Sequence, residues 1–220
     1  MSPRPQQPPE QVEAKKSAII EATLDAIIDR GPAAVRLADV ASTVGLSVGT
    51  VQYYFVSRDE LLVQAFTAHS DAVLAGIDEL ARTGELARAD EHACTGERAA
   101  KGSARRQLAD SLAAVSSVGD YQRRSEIWIE LVAAARHNPA LQGCVDAVND
   151  GWRRHFTSII DLGVADREFA GHDLPVPAIV DAIIALIDGF DLAMVTGRGK
   201  GSRELTRVLS QTVVGLVGSH

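Results

Sequence analysis

The stretch LADVASTVGLSVGTVQYYFVSRDELL, Leu37 to Leu62, decides the fold. Small and apolar residues recur at helical spacing up to Gly45. Beyond it, Tyr53, Tyr54 and Phe55 crowd together in a chain that is only 5% aromatic. Ala41 falls where two short helices would cross, and a larger side chain there would push them apart. Gly45 sits in the turn, where a positive φ is wanted. Val40, Val44, Leu46, Val51 and Tyr54 are the positions expected to lock the helices together, with Phe55 as a buried plug. The spacing predicts a helix-turn-helix: one helix over 37–44, a tight turn, and a second over 48–54 shaped for a DNA major groove about 12 Å wide. Ser47 is placed to N-cap the second helix through its hydroxyl.

With Val51 and Tyr54 turned inward, Val48, Gly49, Thr50, Gln52 and Tyr53 are left outside. Thr50 and Tyr53 offer hydroxyls and Gln52 an amide, groups that bond phosphate oxygens or base edges. Arg58 opens the next helix, where its cation and the helix amides can both meet a phosphate. Asp59 and Glu60 suit that same end through the helix dipole. The plainer alternative is a compact three-helix packing unit. Folding, however, gives no reason to expose Gln52 and Tyr53 together beside a glycine and a threonine.

The rest of the chain also reads as helix, and no stretch reads convincingly as strand. Ile20, Leu24, Ile27 and Ile28 form a stripe over 12–30, which Gly31-Pro32 ends. Leu62, Phe66, Val73, Ile77 and Leu80 describe a long helix from Arg58. Further helices are expected over 104–118 (Leu108, Leu112, Val115), over 121–136 (Ile127, Leu131, Val132 inward), from Pro139 to about 162, over 177–195 and over 202–217. The fold class is therefore all-α with about nine helices. It divides into a disordered Pro/Gln-rich tail at 1–11, a helix-turn-helix DNA-binding domain at 12–57 and a C-terminal helical domain at 58–220, joined by the helix from 58. The segment 84–102 is polar, small-residue-rich and expected to be a loop.

Charge argues against bulk attraction to DNA. The net charge is −7, and residues 1–66 hold six basic against eight acidic side chains, a net of −2. A nucleic-acid partner must therefore be met by the placement of a few cations. The mean hydropathy of +0.02, the lack of an apolar run near 18 residues and an N-terminus without a signal-type segment point to a cytoplasmic, nucleoid-associated protein with no membrane partner. Cys94 and Cys144 stand far apart, so reduced thiols are expected, with neither disulfide nor metal site.

Residues from Lys16 through about Phe66 resemble the TetR family of one-component bacterial transcriptional regulators. The resemblance rests on the amphipathic first helix, the Gly-Pro break, LADVASTVGLS, and GTVQYYFVSRDELL. It implies a DNA contact set of Lys16, Arg36, Ser47, Val48, Gly49, Thr50, Gln52, Tyr53 and Arg58. Two positions depart from the family. Arg36 stands where Ser or Thr commonly starts the second helix, and can reach a phosphate instead. Gln52 replaces a frequent tyrosine and can read adenine. IWIELVAAARHNPALQ, the Trp-Arg-Arg at 152–154 and ALIDGFDLAMV resemble the betaine-regulator-like branch.

The resemblance further implies that 58–220 is a ligand-binding and dimerisation domain, with a homodimer on a double-stranded DNA operator, repression as the default, and a small-molecule effector of unidentified structure. Trp128, Trp152, Phe156, Phe190 and Met194 are the candidate pocket residues, with His137 or His155 as a polar handle, although the neighbours of His155 suggest a solvated face. The last two helices carry broad apolar faces. Ile179, Ile183, Ile187, Leu205, Leu209, Val213 and Leu216 are the candidate dimer interface, four helices closing into an intersubunit bundle. Burial within one subunit is the alternative.

An enzyme finds no support: there is no His-Glu-x-x-His helix, no Gly-x-Ser-x-Gly elbow and no phosphate-binding glycine loop. GRGKGS at 198–203 lacks the required spacing and reads as a turn, and His172-Asp173 is an isolated pair. No cofactor is called for. An architectural DNA-binding module without ligand control is the remaining rival.

Overall fold

The computed structural model describes residues 8–83, 103–169, 174–199 and 202–218. Among them are nine α-helices and no strand: α1 (Pro9–Arg30), α2 (Leu37–Thr43), α3 (Val48–Tyr54), α4 (Arg58–Thr83), α5 (Ala104–Val115), α6 (Tyr121–Ala135), α7 (Pro139–Ala165), α8 (Val176–Val195) and α9 (Ser202–Val217). The first helix begins inside the stretch expected to be a tail, with Pro9 at its first turn, where a missing N–H costs nothing. The expected loop at 84–102, the pair His172-Asp173 and Cys94 lie outside the described residues.

The chain forms two compact units, one of residues 1–69 with 130–145, the other of 70–129 with 146–220. In the first, α1 packs Ile19, Leu24 and Ile27 inward. Ile19, one residue from the expected Ile20, is the fully covered one, and Thr23 fits beside it by donating its hydroxyl to the Ile19 carbonyl at 2.7 Å. Gly31 ends α1 at φ 77°. Leu61, Leu62, Ala65 and Phe66 of α4 complete this core.

The second unit is organised around Phe156, Ile160, Ile179, Ile183, Leu209 and Val213, all fully buried. Its α5 starts under two caps. Ser103 accepts from the Arg106 N–H at 3.2 Å, and the Glu168 carboxylate accepts from the Arg105 N–H at 2.8 Å. Helix α6 belongs to this unit up to Ile129 and to the first from Glu130; Val132, expected inward, is 43% exposed. The turn of α6 is set by Ser125, Ile127 and Leu131, all buried, and Val132 falls off that arc.

Candidate nucleic-acid interface and a polar seam

The turn between α2 and α3 is closed by backbone bonds of the kind that a glycine permits. Gly45 has φ +66°, its N–H reaches the Ser42 carbonyl at 3.2 Å, and Leu46 reaches back to Ala41 at 2.9 Å. This pairing satisfies carbonyls that the end of α2 would otherwise leave open. Ser47 then caps α3: its Oγ accepts from the Thr50 N–H at 3.1 Å and pairs with the Thr50 hydroxyl at 2.8 Å. Val40, Ala41, Val51 and Phe55 are fully buried, while Val44, Leu46 and Tyr54 are half-buried.

The face that remains is outward. Val48, Gly49 and Gln52 are exposed, and Tyr53 is 81% exposed with its ring edge-on to Tyr54 at 5.2 Å. Thr50 is half-buried. A Cβ built on Gly49 would meet nothing nearer than Ser47 Oγ at 3.9 Å, so protein packing does not require a glycine there. Arg36 is exposed and makes no side-chain cap to α2. Lys16 is half-buried on α1.

Arg58 has a different position from the one its sequence suggests. Its Nε donates to the Val35 carbonyl at 2.9 Å, its Nη2 to the Pro32 carbonyl, and its Nη1 to Asp59 at 3.1 Å. The guanidinium is a clamp between the start of α4 and the 32–35 turn, rather than a free cation. Glu60 supports the same corner by accepting from the Val56 N–H at 2.8 Å, while Ser57 accepts from the Glu60 N–H at 3.1 Å.

In the second unit six of the seven candidate interface residues are buried in the core of one subunit, and Leu216 is partly buried against it. Ile179, Ile183, Ile187, Leu205, Leu209 and Val213 are at most 5% exposed, and Leu216 packs on the same cluster. An apolar stripe is satisfied equally by its own subunit or by a copy, and here its own subunit covers it. The outward residues are others: Ala185, Gly189 and Leu192 on α8, and Gln211, Val214 and Gly215 on α9.

The candidate pocket residues also divide. Phe156 has no exposed surface and stacks on Trp152 at 5.7 Å. Phe190 and Met194 lie against the core, partly buried. His155 is not on a solvated face: its side chain is 13% exposed and its Nδ1 lies 2.7 Å from Asp78 Oδ1. Burial holds its pKa below the usual 6.5, against the opposing pull of Asp78.

Trp128 belongs to a polar seam between α6 and α8 that sequence reading did not single out. Its indole N–H donates to Asp188 at 3.0 Å, and Ser125 donates to Asp191 at 2.7 Å. Burial pushes both carboxyls above their usual range. Arg124 lies over the Tyr121 ring, 5.4 Å from its centre, and its Nη1 donates to the Val115 and Val118 carbonyls, each at 2.9 Å. A sequence signal existed. Asp188 and Asp191 stand three apart on one face of the most apolar helix, and Tyr121, Ser125 and Trp128 recur on one face of α6.

An all-α chain with a capped, outward-facing second helix after a glycine turn is a helix-turn-helix DNA-binding protein. Comparison with known families places it further. Residues 19–65 match the model of bacterial regulatory proteins of the TetR family, and 104–218 match the C-terminal region of BetI-type transcriptional repressors. The chain belongs to the TetR family of transcriptional regulators. It is 26% identical over 205 residues to the HTH-type transcriptional regulator PksA of Bacillus subtilis, covering 91% of this chain and 89% of that one.

Among solved structures, the fold matches a Saccharomonospora viridis regulator in complex with choline, at TM-score 0.70 and 22% identity, over 91% of this chain and 96% of that one. It also matches FadR from Bacillus subtilis in complex with stearoyl-CoA, at TM-score 0.71 and 16% identity, over 92% and 99%. Among the described residues no helix is long and apolar enough to cross a membrane, and no side-chain group could hold a metal ion.

Proposed function

We propose that the protein is a homodimeric repressor that binds a palindromic operator through α3 and is released by a small-molecule effector held in the second unit. The observation that carries this reading is the outer face of α3. Gly49 is not demanded by packing, and Gln52 and Tyr53 are held outward by buried Val51 and Phe55. Side-chain amides and hydroxyls reach bases and phosphates, and a glycine lets a backbone come close. Lys16 and Arg36 are the cations that would position this face on phosphate.

A single recognition helix reads one half-site, so affinity requires a second copy at a spacing of about 34–36 Å. The outward residues of α8 and α9, with Leu192 47% and Val214 40% exposed, support dimerisation through those helices. Two relatives by fold were solved in complex with choline and with stearoyl-CoA, which favours a small-molecule effector without fixing its charge. Helix α4 is continuous from Arg58 to Thr83 and contributes to both units. An effector that favours one arrangement of the second unit would shift the population of DNA-competent dimers through it.

Selection of binding sites from random duplexes tests the reading directly. The expected product is a symmetric pair of half-sites one helical turn apart. Enrichment of an asymmetric single site, or of none, would refute it.

A further inference from the structure

We infer that His155 of α7 and Asp78 of α4 form a proton-sensitive latch. Closed near neutral pH, it fixes α4 for operator binding; a second proton on the imidazole opens it in mildly acid solution. This rests on the reading of the protein as an operator-binding dimer controlled through α4, and gives that helix an input besides the effector.

Register builds the contact. Leu74 and Asp78 stand four residues apart on α4, and Gly151 and His155 four apart on α7, so each pair shares one helix face. The helices come so close that a Cβ on Gly151 would lie 2.6 Å from Leu74 Cδ1. One turn further along both helices, His155 Nδ1 lies 2.7 Å from Asp78 Oδ1. On the other side of α4, a Cβ on Gly76 would lie 2.8 Å from Val118 Cγ1. A helix gripped this closely moves between discrete packed arrangements rather than sliding by degrees.

The polar half of the grip depends on protonation. An ionised carboxylate only accepts, so Nδ1 carries the proton of the neutral ring and Nε2 is bare. Nε2 is sealed, with no hydrogen-bond partner among the described residues. The rings of Trp152 and Phe156 lie beside it, centred 6.5 and 5.1 Å away. A proton on Nε2 would create a buried donor facing no acceptor, which is costly. Asp78 pulls the other way, but its side chain is 67% exposed, and burial of the ring prevails. Asp78 is the charged group of α4 that acts on the ring. On α7 itself, Arg153 is paired with Asp181 of α8 at 3.1 Å, and Arg154 reaches back toward Gly151.

The sign follows from linkage. The closed latch resists a proton that an open, hydrated imidazole takes up at its ordinary pKa of about 6.5. Falling pH therefore favours the open form, and Asp78, already largely in water, parts from the ring at little cost. At about pH 5.5, one unit lower, the balance shifts by up to roughly ten-fold per subunit. General charging of the protein in acid would instead tighten its hold on DNA, so a loss of affinity is diagnostic.

The test is fluorescence anisotropy of the full-length protein on a labelled duplex carrying the half-sites selected from random DNA, at constant ionic strength from about pH 7.5 to 5.5. The operator Kd is expected to rise roughly three- to ten-fold toward acid. His155→Gln, which can still donate to Asp78 but takes no proton, should lose this rise. Asp78→Asn should enlarge it, since it removes the charge that eases protonation of the closed pair. If the glutamine variant does not fold, the NMR titration of His155 in the parent protein decides: its pKa should be lower with operator bound than without. A Kd that is flat or falls toward acid, a rise that survives in His155→Gln or vanishes in Asp78→Asn, or equal pKa values with and without operator would each overturn the latch and leave the repressor standing. Failure to bind the duplex at any pH would overturn both.

Discussion

Replacing Arg58 separates two physical roles that sequence alone merges. If its guanidinium contacted phosphate, loss of the charge would lower the salt dependence of operator binding by about 0.9 per contact, or about 1.8 in a two-fold dimer. The structure instead engages Nε, Nη1 and Nη2 with Val35, Asp59 and Pro32. Hydrogen bonds to charged groups contribute about 1.5–3 kcal/mol each. The side chain is 37% exposed, so water recovers part of that, and a net loss of ~2 kcal/mol is expected for Arg58→Ala. For a chain of this size that corresponds to roughly 4–8 °C in Tm. Lysine keeps the charge but lacks the planar fork that reaches two carbonyls. Arg58→Lys should therefore lose stability and operator affinity nearly as Arg58→Ala does, both with an unchanged salt slope in titrations from 50 to 200 mM salt. A lysine variant that binds like the parent, beside an alanine variant whose slope falls by about 1.8, would refute the clamp.

Other perturbations follow from the same geometry. Tyr53→Ala should change stability by no more than about 0.5 kcal/mol, since it is a surface substitution, while weakening operator binding; Gly49→Ala should raise helix stability by up to about 1 kcal/mol and also weaken DNA binding. Equal binding by both variants would remove the α3 face from the contact. Leu192→Asp should yield a folded monomer in sedimentation, whereas Ile183→Asp should unfold the second unit; a dimer surviving Leu192→Asp would move the interface elsewhere. For pH, burial lowers the folded pKa of His155 below 6.5, so between those values the unfolded chain binds more protons and stability rises with pH. Denaturation midpoints should therefore fall as pH drops below about 6.5, and His155→Gln should flatten that dependence.

The sequence and the structure agree most closely where physical constraints are local. Gly45 at positive φ, the Ser47 cap, the small Ala41 and the inward Val51 are properties of a few consecutive residues, and each stands where the spacing placed it. The ends of α3 and the start of α4 agree for the same reason. Ile20 is half-buried beside the fully covered Ile19, and Val132 is exposed beside buried Leu131, because a stripe about 100° wide tolerates such a rotation until a neighbour chooses the covered side.

What spacing left open depended on partners distant in sequence. The apolar faces of α8 and α9 were readable, but the helices that would cover them were not, because hydrophobic burial is non-directional. Arg58 lies 23 residues from the Val35 carbonyl it holds, and its charge resembles that of a phosphate ligand until the turn brings that carbonyl near. Asp188 and Trp128, 60 residues apart, became hydrogen-bonded only when α6 and α8 met. Periodicity and turn chemistry thus determined which segments are helices and which face of α3 is outward. Tertiary packing alone decided which polar groups meet, since hydrogen bonds and ion pairs depend on separations of about 3 Å that no spacing along the chain encodes.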